Sequence, residues 1–499
     1  MEFIKIKDEI NSSDFLNKNH SFSASMYKSV DIPNKGKKLL AELLDPDCPY
    51  EKGIEPGTLN YVKVSPKKMI RTKALKDYSN LISTRGDSVV FIKPKVFNNP
   101  NLKSTDILMS KDSNIGESCM IYGDDLEDYT YNSGIVKLNP IVDKFYLYSF
   151  LKHPLFKKEL EFLTARGSTI KHAGDSFLRC QIPFPTGDNK GEIIECVSNL
   201  MQAIVEKELE LQNKSKNIIA KIDEELTTDQ DEKMPFEYPN IKEINTGGRF
   251  DTSLYIPKFK ELMGLVENYS LGYTTFSKAG FNVIPGPSLE IKILKTRIDS
   301  DHYVEGYYNL ILPTNISEHG ILNKKKYMGT PKRLPELRYG DVIVGEAGFG
   351  KGRSFILMED MGKCTTNAHG IIIRREEVDI QKSILARSII YWYREKGLFD
   401  LLGVGGSGGH LSPEYFDSIL IPCFNTEFLN NLCSLYYNSE DELSLRDILE
   451  WDFLEKEKDR NKKLGIVNLK KEIEELKEIL SEVQDCIILD KEIHLSASS

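Results

Sequence analysis

Gly345-Glu-Ala-Gly-Phe-Gly350-Lys351 satisfies most of the phosphate-cradling pattern GxxxxGK[ST]. In that pattern, backbone N–H groups wrap phosphate oxygens and the final hydroxyl holds magnesium. Here the hydroxyl position is Gly352. The next residues, Arg353-Ser-Phe-Ile-Leu-Met, predict a strand where phosphate would need a helix N-terminus. The stretch reads better as a hairpin whose glycines permit positive φ and close backbone approach. Such a hairpin either carries Lys351 and Arg353 toward a polyanion or is a structural turn with solvated charges. Gly403-Val-Gly-Gly-Ser-Gly408 fits GxGxxG, yet it comes after a helical stretch where a dinucleotide site comes after a strand.

Other catalytic patterns are missing. Asn139-Pro140-Ile141 stops short of the Asn/Asp-Pro-Pro-aromatic segment that would hold an exocyclic amine for methylation. Glu290-Ile291-Lys292 resembles the end of a nuclease pattern, but no Asp lies between Asp251 and it to share a metal. Gly405-Gly-Ser-Gly-Gly409 has the GxSxG spacing, but it comes after a helical stretch and not on the strand-to-helix turn of a nucleophile elbow. The eight Cys form no CxxC and the eight His no HxxxH, so neither a metal site nor a disulfide framework is expected. The chain is therefore expected to do no chemistry and to hold no cofactor. A self-contained nucleotide-hydrolysing or DNA-cleaving enzyme built on the Gly345–Lys351 loop is the alternative.

Basic residues cluster instead. Arg71, Lys73 and Lys76 lie beside Tyr78, and Lys324, Lys325, Lys326, Lys332 and Arg333 surround Tyr327. With Lys111 they are candidate phosphate contacts, which would give salt-dependent, sequence-blind affinity. Asn114, Arg353 and Arg374 are candidates to reach base edges, where a bidentate pair discriminates by roughly 1–3 kcal/mol. The net charge of −9 does not oppose this once it is located. Residues 189–233 carry −5 and residues 439–499 carry −7, leaving the rest at +3. The acidic segments suit protein partners, and the remainder can face DNA.

Those acidic segments are the elements that must position everything else. From Asn189 to Thr228 no Pro occurs, and Val197, Ile204, Leu211 and Ile218 recur every seven residues. That repeat predicts a long helix seeking a partner along its length. Leu469, Ile473, Leu476, Leu480, Val483 and Ile487 form the matching seam on a helix over about 466–489. The two predict an antiparallel coiled-coil spacer; two unrelated surface helices, each on its own lobe, are the alternative. Between and before them lie two α+β lobes of mixed short strands and one main helix each, Asp143–Leu163 and Ile380–Leu402. The expected division is 1–188, 189–233, 234–424 and 425–499, with additional helices over 424–437 and 443–458.

The lobes match in order. Phe22–Tyr27 answers Phe250–Tyr255, and Asp106-Ile-Leu-Met-Ser110 answers Asp341-Val-Ile-Val-Gly345. Gly167-Ser168 answers Gly406-Ser407, with identical spacing onward to Ile182-Pro183 and Ile421-Pro422. The matches imply an internal repeat of lobe plus helix.

On these segments, on Asp341–Arg353 and Asp106–Gly116, and on the opening Gly248-Arg-Phe-Asp-Thr-Ser-Leu-Tyr255, the chain resembles the specificity subunits of type I restriction–modification systems. The resemblance implies two target-recognition domains reading a bipartite site on double-stranded DNA. It also implies DNA adenine methyltransferase partners carrying S-adenosylmethionine, and a translocating restriction subunit. The start MEFIKIKDEI lacks a signal pattern and no apolar run reaches the ~20 residues a membrane span needs, so a cytoplasmic location is expected.

Overall fold

Short apolar runs without alternation are the pattern of strands covered on both faces. Ile107–Ser110 and Val342–Gly345 are two such strands, buried at every position. The computed structural model describes residues 3–6, 9–17, 27–164, 172–228, 238–247, 252–405, 409–439, 448, 450 and 452–493. Phe22–Met26, Gly167-Ser168, Gly248–Asp251 and Gly406-Ser407 of the repeat lie outside them. The chain forms two compact units. One takes in Met1–Glu210, Glu440–Lys463 and Leu469–Ser499, the other Leu211–Ser439 and Leu464–Asn468.

The two four-stranded sheets of the first unit are built from β1 Tyr50–Lys52, β2 Tyr61–Val62, β3 Lys68–Ile70, β4 Val89–Ile92, β5 Ile107–Ser110, β6 Ser118–Met120, β7 Tyr129–Tyr131 and β8 Ile135–Leu138. Helices α1 Lys144–Lys152, α2 Pro154–Leu163 and the long α3 Lys190–Thr227 come next. The second unit contributes β9 Phe281–Pro285, β10 Ile298–Ser300, β11 Tyr308–Leu310, β12 Tyr327–Gly329, β13 Val342–Gly345, β14 Ser354–Ile356, β15 Cys364–Thr365 and β16 Gly370–Arg375. Then come α4 Ile380–Glu395, α5 Leu398–Leu402, α6 Thr426–Tyr436, α7 Phe453–Lys463 and α8 Ile466–Ile488.

Topology repeats strand for strand. One sheet runs β1-β8-β5-β6 in the first unit and β9-β16-β13-β14 in the second, antiparallel throughout. The other runs β2-β4-β3-β7 and β10-β12-β11-β15, each with one parallel pair at the same end. A two-stranded ribbon closes each unit, Gln181–Ile182 on Lys38–Leu39 and Leu420–Pro422 on Tyr273–Thr275. The cores correspond too: Leu108, Cys119 and Ile135 pack in one, Ile343, Leu357 and Ile372 in the other.

Neither main helix is continuous. The Asp143–Leu163 stretch splits at His153, whose ψ of 136° is the extended backbone that a following proline imposes. The Ile380–Leu402 stretch splits at Gly397, which adopts a left-handed φ of 80°. Helix α7 runs Phe453–Lys463; of the second additional helix expected over 443–458, residues 443–447, 449 and 451 lie outside the described residues.

Glu159 on α2 gives the first unit a pH response. Its carboxylate accepts the Gln181 amide (2.9 Å), but burial outweighs that bond and pushes its pKa up to about 7. The folded chain thus holds this proton more tightly than the unfolded one. Its contribution to stability is complete below about pH 4.5 and lost as pH rises through about 7. Glu159→Gln keeps the acceptor and is expected to remove about 3 kcal/mol of that pH dependence. Urea titrations of both proteins at pH 5 and pH 8 measure it; equal losses in the two would contradict it.

α3 and α8 have the lengths their heptads predict, and their seams are buried. Val197, Ile204, Leu211 and Ile218 are at most 1% exposed, Leu469, Ile473, Leu476, Leu480 and Ile487 at most 6%, and Val483 is half-buried. Inside the first unit their contacts step in opposite senses. Lys207 Nζ lies 2.7 Å from Glu472 Oε2, and Asn189 Nδ2 donates to the carbonyl of Ile493 just beyond α8 (2.9 Å).

Candidate nucleic-acid interface

The glycine loop is a hairpin. Val344 pairs with Ser354, the Gly345 amide donates to Arg353 O (2.8 Å), and the Gly352 amide returns to Gly345 O (2.9 Å). A Cβ on Gly345 would sit 2.0 Å from the carbonyl oxygen of Gly350, so only glycine permits this turn. Beyond Lys351 the chain enters strand β14 and not a helix whose N-terminus would hold phosphate, so the phosphate cradle is not formed.

Several candidate contacts are committed to internal partners. Lys351, 9% exposed at its side chain, pairs with Asp400 at 3.0 Å. Arg353 donates to Ile316 O (3.1 Å). Arg374 forks onto Asp341 through Nε (2.9 Å) and Nη2 (2.5 Å), and Nη2 also reaches Glu336 O. Asp341 is 2% exposed, so base reading by Arg374 would require breaking a half-buried bidentate pair. Lys324 (3.3 Å) and Lys326 share Asp301, and Lys73 lies 3.6 Å from Asp87. Lys325 stands exposed between them.

The rest face outward. Lys332 and Arg333 are exposed in the second unit, and Asn114 is exposed at the tip of the β5–β6 hairpin. Arg71, Lys76 and Lys111 are half-exposed. Among the described residues no hydrogen bond or ion pair engages the side chains of these six. Asn114 comes after Ser113, whose φ of +64° is rare for a residue with a side chain, and precedes Gly116 at +79°. This loop has Gly116 alone where the second unit has Gly345, Gly348, Gly350 and Gly352, and Ser113 takes up a left-handed conformation there.

One grouping has no sequence signature. Glu346, His369 and His410 offer donor atoms all within 4.8 Å of one another. They come from the end of β13, the residue before β16, and the segment before the 3-10 turn Pro413–Ser418. Only strand pairing brings together positions so far apart in the chain. No HxxxH or CxxC spacing could have flagged them.

Residues 56–214 match the family model described as "Type I restriction modification DNA specificity domain". Over those residues the chain is similar to that family's domain. The resemblance read from the sequence is borne out there. The matched stretch spans β2 to α3 and contains Arg71, Lys73, Lys76, Lys111 and Asn114. Among solved structures, a type I restriction–modification S subunit from M. genitalium aligns at 12% identity and TM-score 0.36, covering 91% of this chain and 95% of its own. The HsdS subunit from Thermoanaerobacter tengcongensis aligns at 11% identity and TM-score 0.27, covering 92% and 98%. No curated protein matches the sequence. No helix among the described residues is long and apolar enough to cross a membrane.

Proposed function

We propose that the chain is the specificity subunit of a type I restriction–modification system, acting at double-stranded DNA in the cytoplasm. The specificity-domain match in the first unit, on a strand order that the second unit repeats, carries this reading. Each unit reads one half of a bipartite target. α3 and α8 pack as an antiparallel coiled coil and act as the spacer, a reading supported by their buried seams and by the opposite stepping of Lys207–Glu472 and Asn189–Ile493. The chain is non-catalytic. Its acidic helices dock DNA adenine methyltransferase subunits, which carry S-adenosylmethionine, and a restriction translocase.

Sequencing methylated sites in cells with and without this gene, beside its methyltransferase gene, tests the reading. A split motif that vanishes with the gene is expected; an unchanged methylome contradicts it. The outward cations give a sharper readout. If Lys332 and Arg333 each neutralise one phosphate, Lys332→Ala/Arg333→Ala should flatten the slope of log K against log salt by about 1.8 and weaken all sequences alike. A changed recognition motif with an unchanged slope would make them base readers.

A further inference from the structure

We propose that Glu346, His369 and His410 bind one divalent transition metal of the zinc class. The Glu346 carboxylate stands between the two rings, with Oε2 3.0 Å from His369 Nδ1 and Oε1 3.2 Å from His410 Nδ1. Zinc bonds of ~2.0–2.2 Å in tetrahedral geometry put neighbouring donor atoms about 3.3 Å apart. Each imidazole therefore already stands at a coordinated-donor distance from one carboxylate oxygen, as a carboxylate gripping one ion through both oxygens would place it. The third is at most 4.8 Å, and both imidazoles are more than half exposed, so turning one ring closes it. Metal takes the place of the protons between nitrogen and carboxylate: in a neutral ring the N–H passes to the outward Nε2, and in a charged ring one proton is released to solvent. Two imidazoles with one carboxylate select zinc, cobalt or nickel over magnesium or calcium, which take oxygen donors.

Backbone bonds hold the three residues in place. The Glu346 amide donates to His369 O (2.9 Å), and Glu346 O accepts from the Leu411 amide (3.0 Å). His410 exchanges backbone bonds with Val404 in both directions (2.8 and 3.1 Å). A bound ion would clip the glycine hairpin to the segment around His410 and keep an open position toward solvent.

The first unit is an internal control. Its Lys111 amide donates to Gly134 O and its Ala173 amide to Lys111 O, the same two bonds. Lys111 and Gly134 therefore stand where the second unit has Glu346 and His369. Only His172 corresponds to His410, and it pairs with Asp112 at 2.8 Å. The expected load is thus one ion per chain.

The untagged full-length protein, stripped with a chelator, is titrated with Co2+ by visible absorption and with Zn2+ against a chromophoric competitor. One equivalent is expected to bind. His369→Ala, His410→Ala and Glu346→Gln should each weaken it about 10- to 100-fold or more, while His172→Ala leaves it unchanged. Zn2+ should raise the melting temperature of the wild type and not of His369→Ala/His410→Ala, whose metal-free melt confirms that it folds. Magnesium should do neither. Wild-type binding no tighter than that of the double variant, or an equal loss in His172→Ala, overturns the assignment. None of these readouts involves DNA, so they stand or fall separately from the proposed function.

Discussion

Lys207→Ala is expected to destabilise the first unit by about 3–5 kcal/mol. Lys207 lies on α3 three residues beyond Ile204, where a heptad seam calls for a leucine-like side chain, and it is fully buried. Its ammonium sits 2.7 Å from Glu472 Oε2 and Asn461 Oδ1, and 2.6 Å from Glu457 Oε2 as an ion pair without hydrogen-bond alignment. Arg460 also reaches Glu472. Removing the lysine leaves Glu457 and Glu472, both under 10% exposed, with less positive charge than they need away from water. For a unit of this size the melting temperature should fall by about 10 °C. Lys207→Met with Glu457→Gln and Glu472→Gln removes every charge that Lys207 pairs, and should recover most of the loss. A drop of under 1 kcal/mol in Lys207→Ala would show that water solvates the cluster.

The same residue shows why some of the structure could be read from the sequence and some could not. Periodicity is local, so the ends of α3 and α8 and the apolar seam positions followed from spacing alone. A lysine in a seam looks like a solvated face until its acids are known, and Glu457 and Glu472 lie some 250 residues downstream. A buried charge at such a position ties α3 to one register against α7 and α8, because any slip strands it. The candidate DNA contacts met the same obstacle. The glycine hairpin marked Lys351, and Arg374 was a candidate base reader, but Asp400 and Asp341, which hold them, are neighbours only after folding. Glu346, His369 and His410 were invisible for the converse reason: each alone is an ordinary surface residue. The repeat was legible because five matched residues marked the central strands β5 and β13, and the rest of each sheet is built on them.

With α3 and α8 as the spacer proposed above, lengthening them should change the gap in the DNA target and leave both half-sites intact. The chain passes between the units at four places, after Glu210, Ser439, Lys463 and Asn468. Three of these lie within or beside helices α3, α7 and α8. A variant with one heptad added at each of those three, and a glycine–serine extension after Ser439, keeps every seam residue on its face. Seven residues at ~1.5 Å add ~10.5 Å, which on DNA at ~3.4 Å per base pair is about three base pairs. Three is not a whole turn, so the second unit would also have to meet its groove at a new angle, and a variant that reads a gap longer by two or four would show that twist in the spacer absorbs the difference. Adding four residues in place of seven breaks the seam and should abolish site-specific methylation. Mapping methylated sites in cells carrying each variant reads the outcome directly. An altered half-site, or an unchanged gap with methylation intact, would mean that α3 and α8 do not measure the distance between the readers.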